Sequence, residues 1–189
     1  MTDLQLWKAF KNGDKEALGN LFKQYYPLLF QYGNKLCDKK PLLEDCIQEL
    51  FIEIWQSKSD NEIQSVKAYL LKSLRYKIIR ALKGKAFMET TDRLSEELNF
   101  EISHENFLIN EQDNSDKTKK VLEAVNSLPI RQKEIVYLKV YQNMEYDDIC
   151  EVMGINYQVA RNLFSQSIKS LRKLIPVLVV MIPEIVTKF

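Results

Sequence analysis

Residues 65–85, SVKAYLLKSLRYKIIRALKGK, set cations and aromatic rings at a spacing suited to binding a nucleic acid strand. Lys72, Arg75, Lys77, Arg80, Lys83 and Lys85 lie largely off an apolar stripe of Ala68, Leu71, Leu74, Ile78 and Leu82. Tyr69 and Tyr76 are two helical turns apart and so share a face. Ammonium and guanidinium groups meet phosphates, while rings stack on bases that have left a duplex. The same tyrosines also suit the edge of a helical core, and the residues alone leave both readings open.

A second segment has the pattern for reading a duplex. In YDDICEVMGINYQVARNL, residues 146–163, Ile149, Met153, Ile155, Ala160 and Leu163 fall where two short crossing helices bury apolar side chains. Cys150 sits at the crossing and Gly154 at the turn, where a positive φ is expected. The second helix, from about Tyr157 to Lys173, would be the one presented to a major groove. A helical hairpin of this kind also occurs as a purely structural unit.

These segments need helices to position them, and the composition favours an all-α chain. Five Gly and five Pro in 189 residues are few for a β-rich protein, and 46% apolar content is ample for a core. Leu18, Leu21, Phe22, Tyr25, Leu28, Leu29, Tyr32 and Leu36 recur at steps of three and four, with Pro27 expected to kink or divide that helix. From about Leu42 to Gln56 the same spacing buries Cys46, Ile47, Leu50, Phe51, Ile54 and Trp55. The other side of this helix carries Glu44, Asp45, Gln48, Glu49 and Glu53. Phosphates would repel that face, which is either a solvated surface or a dock for a basic protein.

A net charge of +1 looks too small for a nucleic-acid binder, but it is a cancellation. Residues 1–59 are neutral, 60–85 carry +5, 86–116 carry −8 and 117–189 carry +4. Two basic blocks thus flank an acidic one that a polyanion would repel. The acidic block lacks sustained apolar periodicity and reads as a linker over 89–116, with room for a short helix over Asp92–Leu98. It would join a domain over 1–88 to one over 117–175.

Other chemistries find little support. One histidine, His104, no glycine-rich phosphate loop and no paired carboxylates outside helix surfaces argue against an enzyme, a metal site or a bound cofactor. Cys37, Cys46 and Cys150 form no CxxC pair and read as buried, reduced thiols. The N-terminal residues lack the pattern of a signal peptide, so a cytoplasmic location is expected. From Ile175 the chain becomes IPVLVVMIPEIVTKF, with only 8 consecutive apolar or Pro residues over 175–182. A bilayer span needs about 20.

Taken in order, the segments resemble the sigma-70 family of bacterial transcription initiation factors, in its small two-domain extracytoplasmic-function group. LEDCIQELFIEIW looks like the family's most recognisable run, met by Asp45, Gln48, Glu49, Phe51 and Trp55. AYLLKSLRYKIIRALKGK looks like the helix that melts and reads the −10 element. LPIRQKEIVYLKVYQNMEYDDICEVMGINYQVARNLFSQSIKSLRKL looks like the region that reads the −35 element.

The resemblance implies a non-catalytic subunit that brings core RNA polymerase to promoter DNA and helps open it. Polymerase contacts would fall to Asp45, Gln48, Glu49 and Glu53. Phosphate contacts at the −10 element would fall to Lys72, Arg75, Lys77 and Arg80, with base stacking by Tyr69 and Tyr76. At the −35 element Gln158, Arg161, Asn162 and Ser165 would meet the duplex, with Lys169, Arg172 and Lys173 extending the charge. An anti-sigma factor is a further expected partner. The tail 176–189 would fold back on the second domain, dock such a factor or adhere to a surface. Tyr69, Tyr76, Arg80, Ala160 and Asn162 depart from the residues usual in the family, so promoter preference does not transfer. The rival reading is a helix-turn-helix regulator that binds a duplex operator without polymerase.

Overall fold

The computed structural model describes residues 2–57, 63–83, 100–102 and 115–174, and these contain helices and no strand. Most of the expected linker, its helix over 92–98, His104, the Lys83 and Lys85 side chains and the apolar tail lie outside the described residues. The chain divides into two compact units, Met1–Leu94 with Glu151–Gly154, and Ser95–Cys150 with Ile155–Phe189.

Among the described residues, four helices build the first unit: α1 (Asp3–Lys11), α2 (Lys15–Leu36), α3 (Lys40–Gln56) and α4 (Val66–Lys83). The first three starts each have a local cause. Thr2 and Gln5 cap each other ahead of α1, with Thr2 N donating to Gln5 Oε1 at 2.8 Å and Gln5 N to Thr2 Oγ1 at 3.3 Å. Gly13, at φ +94°, turns the chain so that Asp14 accepts from Glu16 N at 2.9 Å and Ala17 N at 3.1 Å. Pro41 occupies the first turn of α3, where its missing N–H is no loss.

Contrary to the expected alternative of a division at Pro27, α2 runs through it as one helix of 22 residues. Pro27 is exposed, while Tyr25, Leu29 and Tyr32 on either side of it are buried. Packing of both halves on one core outweighs the lost backbone bond. Gly33 makes that packing close, since a Cβ there would lie 2.2 Å from Leu43 Cδ1 and 3.2 Å from Ile78 Cδ1. α1 is tied to α2 through Asp3, which accepts from the Tyr25 hydroxyl and, at 2.8 Å, from Gln24 Nε2.

The expected core of the unit holds, with corrections at two helix ends. Cys46, Ile47, Leu50, Phe51 and Ile54 of α3 are buried, as are Ala68, Leu71, Leu74 and Ile78 of α4. Trp55 and Leu82, expected inside, are each 39% exposed. Both fall in the last turn of their helices, where fewer neighbours remain to cover a large side chain. Trp55 rests one face on Phe10, with ring centroids 6.2 Å apart.

The described part of the second unit is built from α5 (Ser115–Asn126), α6 (Ile130–Val136), a π-helical turn over Tyr137–Tyr141, most of α7 (Tyr146–Met153) and α8 (Tyr157–Leu174). Its packing begins earlier than the sequence suggests. Phe100 and Ile102, read as linker, are buried. The Phe100 ring meets Tyr137 edge-on at 5.8 Å, and the Asn126 side chain holds the Ile102 backbone. Tyr137 and Tyr141 stack at 5.7 Å across the π turn, and Gln142 Nε2 donates to the Tyr137 hydroxyl at 2.8 Å. Asn143, at φ +48°, then turns the chain toward α7.

Candidate nucleic-acid interface

α3 turns its carboxylates outward. Asp45, Gln48, Glu49 and Glu53 are exposed on one side of the helix, opposite buried Cys46, Ile47 and Leu50. Ile52 lies among them and is 54% exposed. Burial and the Glu49 carboxylate push the Cys46 thiol above its ordinary pKa.

On α4 the six expected strand contacts separate into three groups. Lys72, Tyr76 and Arg80 are exposed, with Tyr76 at 56%. Tyr69 is half-buried and meets Trp7 edge-on at 5.2 Å, at the edge of the core. Arg75 and Lys77 differ from expectation. Arg75 is buried, because it follows Leu71 by four and Ala68 by seven and therefore falls on the apolar stripe itself. The Lys77 side chain is 11% exposed and lies 2.6 Å from Glu53 Oε1 and 3.7 Å from Glu49 Oε2. It follows Leu74 by three and Leu70 by seven, and both are buried, so helical phase could have revealed its placement.

The helix-turn-helix forms as its spacing implies. Gly154 has φ +65°, and Ile155 N donates to Cys150 O at 3.1 Å across the turn. Asn156 caps α8 by accepting from Val159 N at 2.9 Å. Ile149, Met153 and Ala160 are buried, while Ile155, Leu163 and Cys150 are half-buried. α8 buries Ala160, Phe164, Ser167, Ile168 and Leu171. Gln158, Arg161, Asn162, Ser165, Lys169, Arg172 and Lys173 are exposed. Gln158 Nε2 donates to Asn162 Oδ1 at 3.0 Å, an i,i+4 pair on that face.

Two family models match the chain in order: Sigma-70 region 2 over residues 21–87 and Sigma-70, region 4 over residues 118–171. The chain belongs to the sigma-70 family. Its region 4 is of the extracytoplasmic-function type, and the chain is an alternative sigma factor that directs RNA polymerase to promoters. The solved structure of CnrH in complex with the cytosolic domain of CnrY superposes with a TM-score of 0.60 at 17% identity, over 91% of this chain and 96% of that chain. That likeness shows a shared fold. The comparison with curated proteins gives no match. Region 2 of the sigma factor thus takes in most of α2, all of α3 and α4, and region 4 takes in the helix-turn-helix. Among the described residues there is no group of three or more His, Cys, Asp or Glu that could hold a metal, and no helix long and apolar enough to cross a membrane.

Proposed function

We propose that the sigma factor uses three separate surfaces in initiation. The acidic face of α3, with Asp45, Gln48, Glu49 and Glu53, docks on core polymerase. Lys72, Tyr76 and Arg80 on α4 hold the opened −10 strand, with Tyr69 supporting from the core edge. Gln158, Arg161, Asn162 and Ser165 on α8 meet the −35 duplex, and Lys169, Arg172 and Lys173 its phosphates. The observation that carries this reading is the segregation of charge on adjacent helices: α3 exposes carboxylates where α4 exposes cations and a ring. No single polyanion suits both.

The protein acts without catalysis of its own. Capture of unpaired bases and the polymerase's channel supply the free energy of opening, in a chain whose sequence has no glycine-rich phosphate loop. With few cations per DNA site, binding by the sigma factor alone is weak and salt-sensitive. The working domains are 1–88 and 117–175, and the Phe100–Ile102 strap shortens the connector proposed over 89–116. Promoter recognition of this kind belongs in the cytoplasm. CnrH is in complex with the cytosolic domain of CnrY, which supports a protein partner, an anti-sigma factor, for this chain as well.

Run-off transcription with bacterial core polymerase and sheared DNA from the source genome tests the reading. Discrete new transcripts that vanish with Asp45→Lys plus Glu49→Lys support it. Sequence-specific duplex binding by the protein alone, without transcripts, would favour a polymerase-independent regulator.

A further inference from the structure

Lys77 stands between the proposed partner-facing helix and the proposed strand-facing helix of region 2. Lys77 Nζ lies 2.6 Å from Glu53 Oε1 and 3.7 Å from Glu49 Oε2. The Lys77 side chain is 11% exposed, whereas those of Glu49 and Glu53 are 68% and 65% exposed. The lysine side chain is therefore largely withdrawn from solvent while both glutamate side chains stay open to a partner.

Glu49 and Glu53 are one turn apart on α3, where like charges repel. A cation reaching both offsets that repulsion and restrains two side chains that would otherwise sample many rotamers. An ionised carboxylate has two oxygens and about four acceptor sites. Lys77 engages Oε1 of Glu53 and Oε2 of Glu49, which leaves the second oxygen of each for another donor. Two acceptors held one turn apart suit the fork of an arginine or a pair of lysines on a basic protein surface.

We infer that Lys77 is a positioning residue for polymerase docking and not a phosphate contact. It presets Glu49 and Glu53 before the partner arrives. The inference rests on reading α3 as the docking face, and the sign of one effect isolates it. By net charge alone, removing a cation from a protein that meets a basic surface should tighten binding. Loss of positioning should weaken it.

The experiment measures the affinity of the full chain for core polymerase without DNA, then the salt dependence of promoter binding at saturating polymerase. Lys77→Met should weaken polymerase binding by about three- to tenfold, within the usual range of coupled side chains. Lys77→Arg should restore it, and Lys77→Met should add nothing to Glu49→Gln with Glu53→Gln. The salt slope should stay unchanged, whereas loss of a phosphate contact would lower it by about one. Lys77→Gln repeats the test should the Met variant melt early. Unchanged or tighter polymerase binding by both neutral variants, or a lowered salt slope, overturns the inference. If Glu49→Gln with Glu53→Gln binds polymerase normally, the docking role of α3 falls instead.

Discussion

The Asn126 side chain closes on both backbone groups of Ile102: Nδ2 donates to the Ile102 carbonyl at 2.9 Å, and Oδ1 accepts from the Ile102 N–H at 3.1 Å. The pairing fastens a strap to the end of α5 as a neighbouring strand would. Asn126→Ala leaves two part-buried polar groups without these partners, a loss of about 1–3 kcal/mol. Hydrogen exchange at the Ile102 amide should accelerate markedly, with amides of α2 and α3 unaffected. Equal acceleration throughout would mean that the strap is not a local fastening.

Two glycines of α2 should respond oppositely to the same change. Gly19 is exposed with nothing within 4 Å of an added Cβ, so Gly19→Ala should stabilise by about 1 kcal/mol through helix propensity. Gly33→Ala gains the same backbone term but drives a methyl into Leu43 and Ile78, where overpacking costs about 1–3 kcal/mol. Thermal melts should rank Gly19→Ala above the parent and Gly33→Ala below it.

Alkaline pH should first strengthen and then weaken the fold. Burial lowers the Lys35 ammonium from 10.5 to about 8, so between those values the unfolded chain holds the extra proton and stability rises with pH. Burial raises the Cys46 and Cys150 thiols above 9.0, and the Tyr25, Tyr137 and Tyr141 phenols above 10.0, Tyr137 to about 12. The stability these groups contribute is present below those ordinary values and lost as pH climbs past them. Denaturant midpoints should therefore rise from pH 8, turn over between 9 and 10, and fall beyond. Lys35→Met should remove the rise and leave the fall.

Tyr76 and Tyr69 should separate function from packing. Tyr76→Ala should leave melting unchanged and weaken the polymerase-bound open complex by about 1–3 kcal/mol, read as a shorter lifetime. Tyr69→Ala removes the edge contact with Trp7 and should lower the melting temperature. An open complex insensitive to Tyr76→Ala would remove the ring from the strand site.

What the chain disclosed depended on period. The α8 pattern and Gly154 were legible because two crossing helices admit few arrangements. The outward set on α3 followed from the same regularity. Arg75 and Lys77 carry charges that suit solvent, yet their helical phase sets them beside Leu71 and Leu74. Phe100 and Ile102 carry no such signal: three residues have no period, and their burial depends on Asn126 and Tyr137 far along the chain. The π turn at Tyr137–Tyr141 likewise answers to tertiary packing, which no local pattern announces.

In α8 the residues that stand the helix against its unit and those that face outward alternate without sharing a position. Ala160, Phe164, Ile168 and Leu171 decide how the helix stands; Gln158, Arg161, Asn162 and Ser165 are free of that duty. If that face meets the −35 duplex, as proposed, it is an interchangeable reading head. A new promoter vocabulary can be written on the outer face while the mount beneath it stays as it is.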